Sequence, residues 1–259
     1  MEPIERFNIL DKIEYATKDK EWLSDSIILL VRAGSMAHGT STPESDVDVK
    51  GVAIPPLREF YYGNQNFNSL NHSTGDQHSK NTKDDIDVTI YSLKKFVSMA
   101  TNANSNILEM LFVNEDDIIL RSKYGQALID NRHLFLTNKI RKSFGGFAMQ
   151  SAQRIQKKME KDGAYDPYDL MHGVRLLKTA TQAFIEGSFT TRRDDEELLL
   201  LSDIRSGTYS YDEALKLLEE VDKEFINAYE QSVLPNEPNH KHIERLLISI
   251  TEEYFYHEG

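Results

Sequence analysis

Residues 26–54 constrain this chain most. Ser26 to Ala33 (SIILLVRA) is a compact apolar run that stops at Gly34-Ser35. Its length and its Ile and Val content predict a buried strand. Asp46 to Ile54 (DVDVKGVAI) then opens in strict polar/apolar alternation, which predicts a second strand ended by Pro55-Pro56. Asp85 to Tyr91 (DIDVTIY) alternates in the same way and predicts a third. Between the last two, residues 63–84 are rich in Asn, Ser, His, Gly and Lys and read as a mobile loop.

The rest of the chain carries helical spacing. Ile4, Phe7, Leu10, Ile13 and Tyr15 predict an amphipathic first helix, with Trp22 packed on it. Ser92 is placed to cap LKKFVSMA, and Asn106 with Glu109 resembles a capping pair before ILEMLFV. From about Asn138 the pattern is almost wholly helical, interrupted at Leu234 to Pro238 before a last helix over about His240 to Phe255. The reading is therefore α+β: a sheet-bearing domain over 1–140 followed by an all-helical domain over 141–259.

Composition limits what such a chain can do. Hydrophobic residues make up 39% of the 259, enough for a true core. The absence of cysteine removes disulfides, thiolate metal sites and a cysteine nucleophile. No uncharged apolar run approaches the ~18 residues of a membrane-spanning helix. The N-terminal MEPIERFNILDKIEY mixes acids and bases among apolar residues, so no secretory leader and no membrane partner are expected, and the cytoplasm is the expected location. The formal charge of −12 argues against a protein that coats nucleic acid over a long footprint. That charge is uneven. Residues 141–187 hold eight Lys and Arg against five acids, whereas 188–259 hold seven against seventeen.

Three features of the first domain converge on phosphate chemistry. A strand that ends in Gly34-Ser35 and runs into a short helix offers backbone N–H groups and a hydroxyl to a phosphate. Strand alternation puts Asp46 and Asp48 on one face, with Val47 and Val49 turned to the other. Paired carboxylates repel, and Mg²⁺ (or Mn²⁺) relieves this while leaving sites for water and substrate phosphates. In the third strand, Asp87 faces away from Ile86, Val88 and Ile90. If that strand lies beside the second, Asp87 can join the pair as a third ligand or serve as general base on an attacking hydroxyl. A polar edge strand facing solvent is the plain alternative for Asp46 and Asp48.

The spacing Gly34-Ser35, then Asp46-x-Asp48, resembles the signature of the DNA polymerase β superfamily of nucleotidyltransferases. GSMAHGTSTPESDVDVKGV (34–52) is more closely similar to a family of bacterial and phage nucleotidyltransferases. The similarity continues through DVTIYSLKKF (87–96), NILEMLF (106–112), MHGVRLL (171–177), DIRSG (203–207) and LPNEP (234–238). This resemblance implies a small mixed β-sheet nucleotidyltransferase core followed by helices. It implies a nucleoside triphosphate substrate, ATP first, with Mg²⁺, and transfer of a nucleotidyl group to a hydroxyl. Carried over by position, Gly34 and Ser35 touch the triphosphate and Asp46 and Asp48 bind metal. Asp87 is the third acid, with Asp84 and Asp85 close enough to compete for that role.

Further candidates surround this set. His38 could donate to a phosphate, orient Asp46 or be a structural histidine. His172 and Arg175 share a helical face with Lys178 and Thr179, and could meet the triphosphate from the helical side. Arg154, Lys157 and Lys158 form a basic cluster one helix earlier, read more as solvated surface. Arg205 sits at a helix end. There is no GxGxxG, GxxxxGK[ST], HExxH or HD dipeptide. The sequence therefore predicts a Mg²⁺-dependent nucleotidyltransferase whose acceptor is an RNA 3′ end, a protein hydroxyl or a small molecule. Its rivals are a non-catalytic nucleotide-binding or antitoxin-like module and a metal-dependent phosphohydrolase.

Overall fold

A computed structural model of the chain describes residues 3–61, 67–75, 82 and 85–258. Along the chain run α1 (Pro3–Thr17), α2 (Glu21–Asp25), β1 (Ile27–Arg32), α3 (Gly34–His38), β2 (Val47–Ala53) and α4 (Leu57–Tyr61). Next come β3 (Ser69–Ser73), β4 (Ile86–Ser92), α5 (Leu93–Ala100), α6 (Ser105–Leu111), β5 (Ile118–Arg121) and α7 (Lys123–Asp130). The remaining helices are α8 (Ile140–Asp162), α9 (Pro167–Glu186), α10 (Asp195–Arg205), α11 (Tyr211–Glu230) and α12 (His240–Glu258). The architecture is α+β, a five-stranded mixed sheet plus helices, as expected. Among the described residues no helix is long and apolar enough to cross a membrane.

The chain divides into two compact units. The first holds residues 1–100, 109–132 and 239–259, and the second 101–108 and 133–238. These units cut the chain differently from the 1–140 and 141–259 division read from the sequence. The last helix returns to the sheet-bearing unit because α12 docks on α7. Lys123 Nζ meets Glu253 Oε1 at 2.7 Å, and the Tyr124 and Tyr254 rings pack edge to face at 5.3 Å. Helical periodicity reveals an apolar stripe but not the surface it will cover.

In the first unit the strand order is β3-β4-β2-β1-β5. β2 and β4 run parallel, and every other pairing is antiparallel. All six residues of β1 are buried, as its apolar sequence demands. β4 alternates buried and half-buried along its whole length. One sheet face closes on α1 and α2 through Ile9, Ile13, Leu23, Leu30, Val49, Val88 and Ile90. Each such fully buried aliphatic side chain is worth about 1.5–3 kcal/mol. Trp22 borders this core and packs edge to face on Phe67 at 5.2 Å.

Two elements depart from the sequence reading. Residues 69–73, expected within a mobile loop, form the edge strand β3, whose residues alternate exposed and half-buried against β4. The remainder of 63–84 lies mostly outside the described residues. α6 is capped by Asn104, whose Oδ1 accepts from the Ile107 N–H at 3.3 Å, and Asn106 falls inside the helix. By contrast Ser92 caps α5 as expected, accepting from the Lys95 N–H at 3.2 Å.

β5 and α7 lock the far side of β1. Ser122 caps α7 and its hydroxyl also donates to the Ile28 carbonyl at 3.1 Å. Gly125 lies so close to that carbonyl that a Cβ there would collide with the Ile28 backbone. At the end of β1, Arg32 Nη2 pairs with the fully buried Asp117 Oδ1 at 2.8 Å and reaches the Asp116 carbonyl at 3.2 Å.

The second unit is helical. Asp166 caps α9 by accepting from the Tyr168 N–H at 3.0 Å, and Pro167 opens the helix. α9 buries twelve of its residues and so forms the core of this unit, with α8, α10 and α11 around it. Gly173 admits Ser151 and Leu218 against the helix backbone. Ser210 and Glu213 form a capping box at the start of α11.

Removing one partner of a buried ion pair strands the other charge. Asp117→Ala should therefore lower the unfolding free energy by about 3–5 kcal/mol, as read from urea denaturation. A loss no larger than that of an exposed acid would show that the Arg32–Asp117 pair does not hold the end of β1.

Candidate functional site

The site forms where β1 stops. The Ala33 N–H donates to the Asp48 carbonyl at 2.9 Å, drawing the turn after β1 against β2. Gly34 then takes a left-handed conformation, φ +58°, beside the Asp48 side chain. A Cβ at this position would collide with Asp48 Oδ2. Glycine is required twice here, for its backbone angle and for its lack of a side chain. α3 follows directly from Gly34 and ends at Gly39, while the Thr40 N–H returns to the Ser35 carbonyl at 2.9 Å.

The carboxylates are brought together by strand pairing. The Thr42 N–H donates to Ser45 Oγ at 2.9 Å, a tight turn that delivers Asp46 to the start of β2. Ser45 thus serves the turn, and Glu44 is exposed. The Val47 N–H donates to the Asp85 carbonyl at 3.0 Å, which fixes the register of β2 on β4. In that register Asp48 and Asp87 are direct partners. Asp46, Asp48 and Asp87 are all half-buried. Burial first, and then the neighbouring charge of Asp46, push the Asp48 carboxyl above its ordinary value, with Asp87 adding and Lys50 opposing. Among the described residues, no three acidic or histidine side chains are drawn into a ready-made metal cage.

Asp85 has different work. Its carboxylate accepts from the Thr82 N–H at 2.7 Å, the Thr82 hydroxyl at 2.9 Å and the Thr74 hydroxyl at 3.3 Å. The Thr82 bonds hold its carboxyl below the usual carboxylate value. Asp85 therefore closes a local turn, and Asp87 is the acid aligned with Asp48. Asp84 lies outside the described residues.

The remaining candidates separate. His38 is buried on α3, with Nε2 3.6 Å from Glu109 Oε2 on α6. His172 and Arg175 lie on α9 in the second unit. His172 stacks on Tyr168 at 6.4 Å, and Arg175 is buried. Within that unit Lys178 approaches Glu197 at 3.8 Å, and the Thr179 hydroxyl donates to the Arg175 carbonyl at 2.8 Å. Arg154 and Lys158 are matched by acids: Arg154 Nε meets Asp169 at 2.6 Å, and Lys158 Nζ meets Asp166 at 2.8 Å. These are cross-helix struts, in keeping with the surface reading of that cluster. Sequence reasoning missed Lys50, although its parity on β2 matches Asp46 and Asp48. It also missed Glu109, whose link to His38 joins two distant stretches of chain.

Residues 6–249 match the family described as RNA repair pathway DNA polymerase beta family. A relative in Enterobacteria phage T4, an uncharacterized 38.9 kDa protein of the nrdC-mobD intergenic region, is 37% identical over 124 residues. That alignment covers 47% of this chain and 36% of the relative, so the chain matches about a third of the relative's length. A solved nucleotidyltransferase-like protein from Exiguobacterium sibiricum 255-15 aligns at 11% identity and a TM-score of 0.31. It spans 83% of this chain and 75% of its own.

The raised Asp48 carboxyl sets a testable pH dependence. A carboxyl whose folded value exceeds its unfolded one lowers stability as pH climbs from 3.8 through the raised value, and the loss then stays constant. Asp48→Asn abolishes this. In metal-free protein the variant's stability gain over wild type should grow across that window and plateau by neutrality, measured by urea unfolding from pH 3.5 to 7. A gain independent of pH would show that repulsion and burial do not act on Asp48.

Proposed function

The chain belongs to the RNA repair pathway DNA polymerase beta family, and from that premise we propose that it transfers a nucleotidyl group from a nucleoside triphosphate to an RNA 3′-hydroxyl. The observation that carries this reading is the in-register pairing of Asp48 with Asp87, closed on one side by the Gly34 backbone. The donor set suits Mg²⁺ or Mn²⁺, because half-buried carboxylates that repel one another are what a hard divalent cation relieves. Asp46, Asp48 and Asp87 would hold it, and when bound it supplies charge neutralisation at the phosphates.

The chain's own groups account for the rest. Gly34 and Ser35 present backbone N–H groups and a hydroxyl to the triphosphate, and the bare glycine lets it approach Asp48. The acceptor oxygen attacks the α-phosphorus, and the bond from that phosphorus to the bridging oxygen breaks. Pyrophosphate leaves with the electron pair. The proton of the acceptor hydroxyl passes to the Asp87 carboxylate and on to water. His38, paired with Glu109, supports α3 and through it the Gly34-Ser35 turn. His172 and Arg175 are proposed, from the family resemblance alone, as nucleotide-binding residues. An NTP KM unchanged in Arg175→Ala removes Arg175 from this role.

Incubation with each α-labelled NTP, Mg²⁺ and RNA bearing a free or a blocked 3′ end tests the whole reading. Label should enter only the RNA with a free 3′-hydroxyl. Asp46→Asn should reduce transfer by roughly 100-fold or more, the scale lost when one preorganised charge at a reacting centre is removed. Release of free nucleoside monophosphate alone would indicate a phosphohydrolase. Label entering a protein would overturn the acceptor assignment, and full activity in Asp46→Asn would overturn the site.

A further inference from the structure

The two faces of the sheet differ chemically across β2, β4 and β3. One face is apolar and closed: Val49 aligns with Val88, and Gly51 with Ile90 and then Leu70, all within or against the core under α1 and α2. The other face carries three rows. Asp48, Asp87 and Ser73 form the first, Lys50, Thr89 and Asn71 the second, and Val52, Tyr91 and Ser69 the third. Except for Val52, every member is half-buried or exposed. The second row is tied together, since the Thr89 hydroxyl donates to Asn71 Oδ1 at 3.1 Å. The strip therefore begins at the carboxylates and leads along the strands to a half-buried aromatic ring.

Its position assigns its use. The strand order puts β1, and with it Gly34 and Ser35, on one flank of Asp48. Asp87, Thr89, Asn71 and Tyr91 lie on the opposite flank. A triphosphate on the Gly34-Ser35 turn leaves this second flank to the acceptor. Tyr91 stands about 13 Å along β4 from Asp87, at about 3.3 Å per residue. A polynucleotide with its terminal hydroxyl at Asp87 can cover that span, whereas a small acceptor cannot. A peptide acceptor would read backbone groups along a strand edge. A ring, an ammonium and an amide raised on a sheet face suit stacked bases and phosphates instead.

We propose that this strip is the acceptor site for single-stranded RNA, with a base stacked on Tyr91, a backbone phosphate at Lys50 and the 3′-hydroxyl at Asp87. The assignment rests on the nucleotidyl-transfer reading for its polarity, 3′ end at the carboxylates. It does not depend on that reading for RNA binding itself. The strip is short and carries one cation, so it grips a few nucleotides rather than a long duplex. That agrees with a chain of net charge −12.

The test is fluorescence anisotropy of the full chain with a labelled single-stranded RNA, without divalent metal, followed by steady-state kinetics. Tyr91→Leu and Lys50→Gln should each weaken RNA binding about tenfold, the scale of one lost stack or phosphate contact. Tyr91→Phe keeps the ring and should bind as wild type does, which separates stacking from a packing defect. Lys50→Gln should lower the salt slope of binding by about one. In kinetics, Tyr91→Leu should raise KM for RNA while KM for NTP stays unchanged. The inference is overturned if the wild type binds no single-stranded RNA, or if neither variant alters RNA affinity. Tenfold losses in both variants, with no transfer by the wild type, would support the strip and retire the nucleotidyl-transfer reading.

Discussion

The approach of the Gly34 backbone to the Asp48 carboxylate governs the geometry of the site. It is possible only because no side chain stands there and because the Ala33 N–H is bonded to the Asp48 carbonyl. That contact fixes where α3 starts and which way its first turn faces. The Asp48 side chain beside it is half-buried, and burial is the largest cause of its raised carboxyl value, followed by the charge of Asp46. The turn and the electrostatic tension of the acid beside it therefore meet at one point. A polar group held this way is costly on its own and becomes favourable when a counter-charge arrives.

The surrounding fold counters that tension. The buried β1 strand, the apolar sheet face and the Arg32–Asp117 pair all brace the end of β1 from which the turn departs. Parallel pairing of β2 with β4 then sets Asp87 against Asp48 without any help from loop conformation. Carboxylates mounted on central strands are held more rigidly than carboxylates on loops, which suits chemistry that depends on preorganised charge. The acids are placed by the sheet and the Gly34-Ser35 backbone by the turn.

Much of this was legible in the sequence, and the omissions have physical reasons. β1, β2 and β4 announce themselves through an apolar run or period-two alternation, and the same parity places Asp46, Asp48 and Asp87 on one face. β3 was not legible because Ser-Leu-Asn-His-Ser holds a single aliphatic residue and lies at the sheet edge, where polar residues satisfy the pattern equally well. β5 is four residues long and follows an acidic turn, too short to show a period. The return of α12 to the first unit depends on a docking surface around Tyr124 that no local pattern encodes. At the site, Lys50 was available from parity alone, whereas the choice of Asp87 over Asp85 needed the Thr82 and Thr74 hydrogen bonds that occupy Asp85.

The distribution of charge also bears on the order in which substrates meet the site. Three like charges on one sheet face repel a polyanion, and the chain's overall acidity adds to that barrier at low salt. Lys50 offsets only part of it. In the proposed arrangement an RNA terminus at Asp87 would gain most once the carboxylates were neutralised, while a base on Tyr91, farther along the strip, would be held chiefly by stacking and be less sensitive to their charge. The two ends of the strip would then differ in kind. The aromatic end would supply affinity that tolerates sequence and charge state, and the carboxylate end would admit the terminal hydroxyl in company with a cation. An acidic chain can in this way act on a polyanion without the broad basic surface that nucleic-acid binding usually requires.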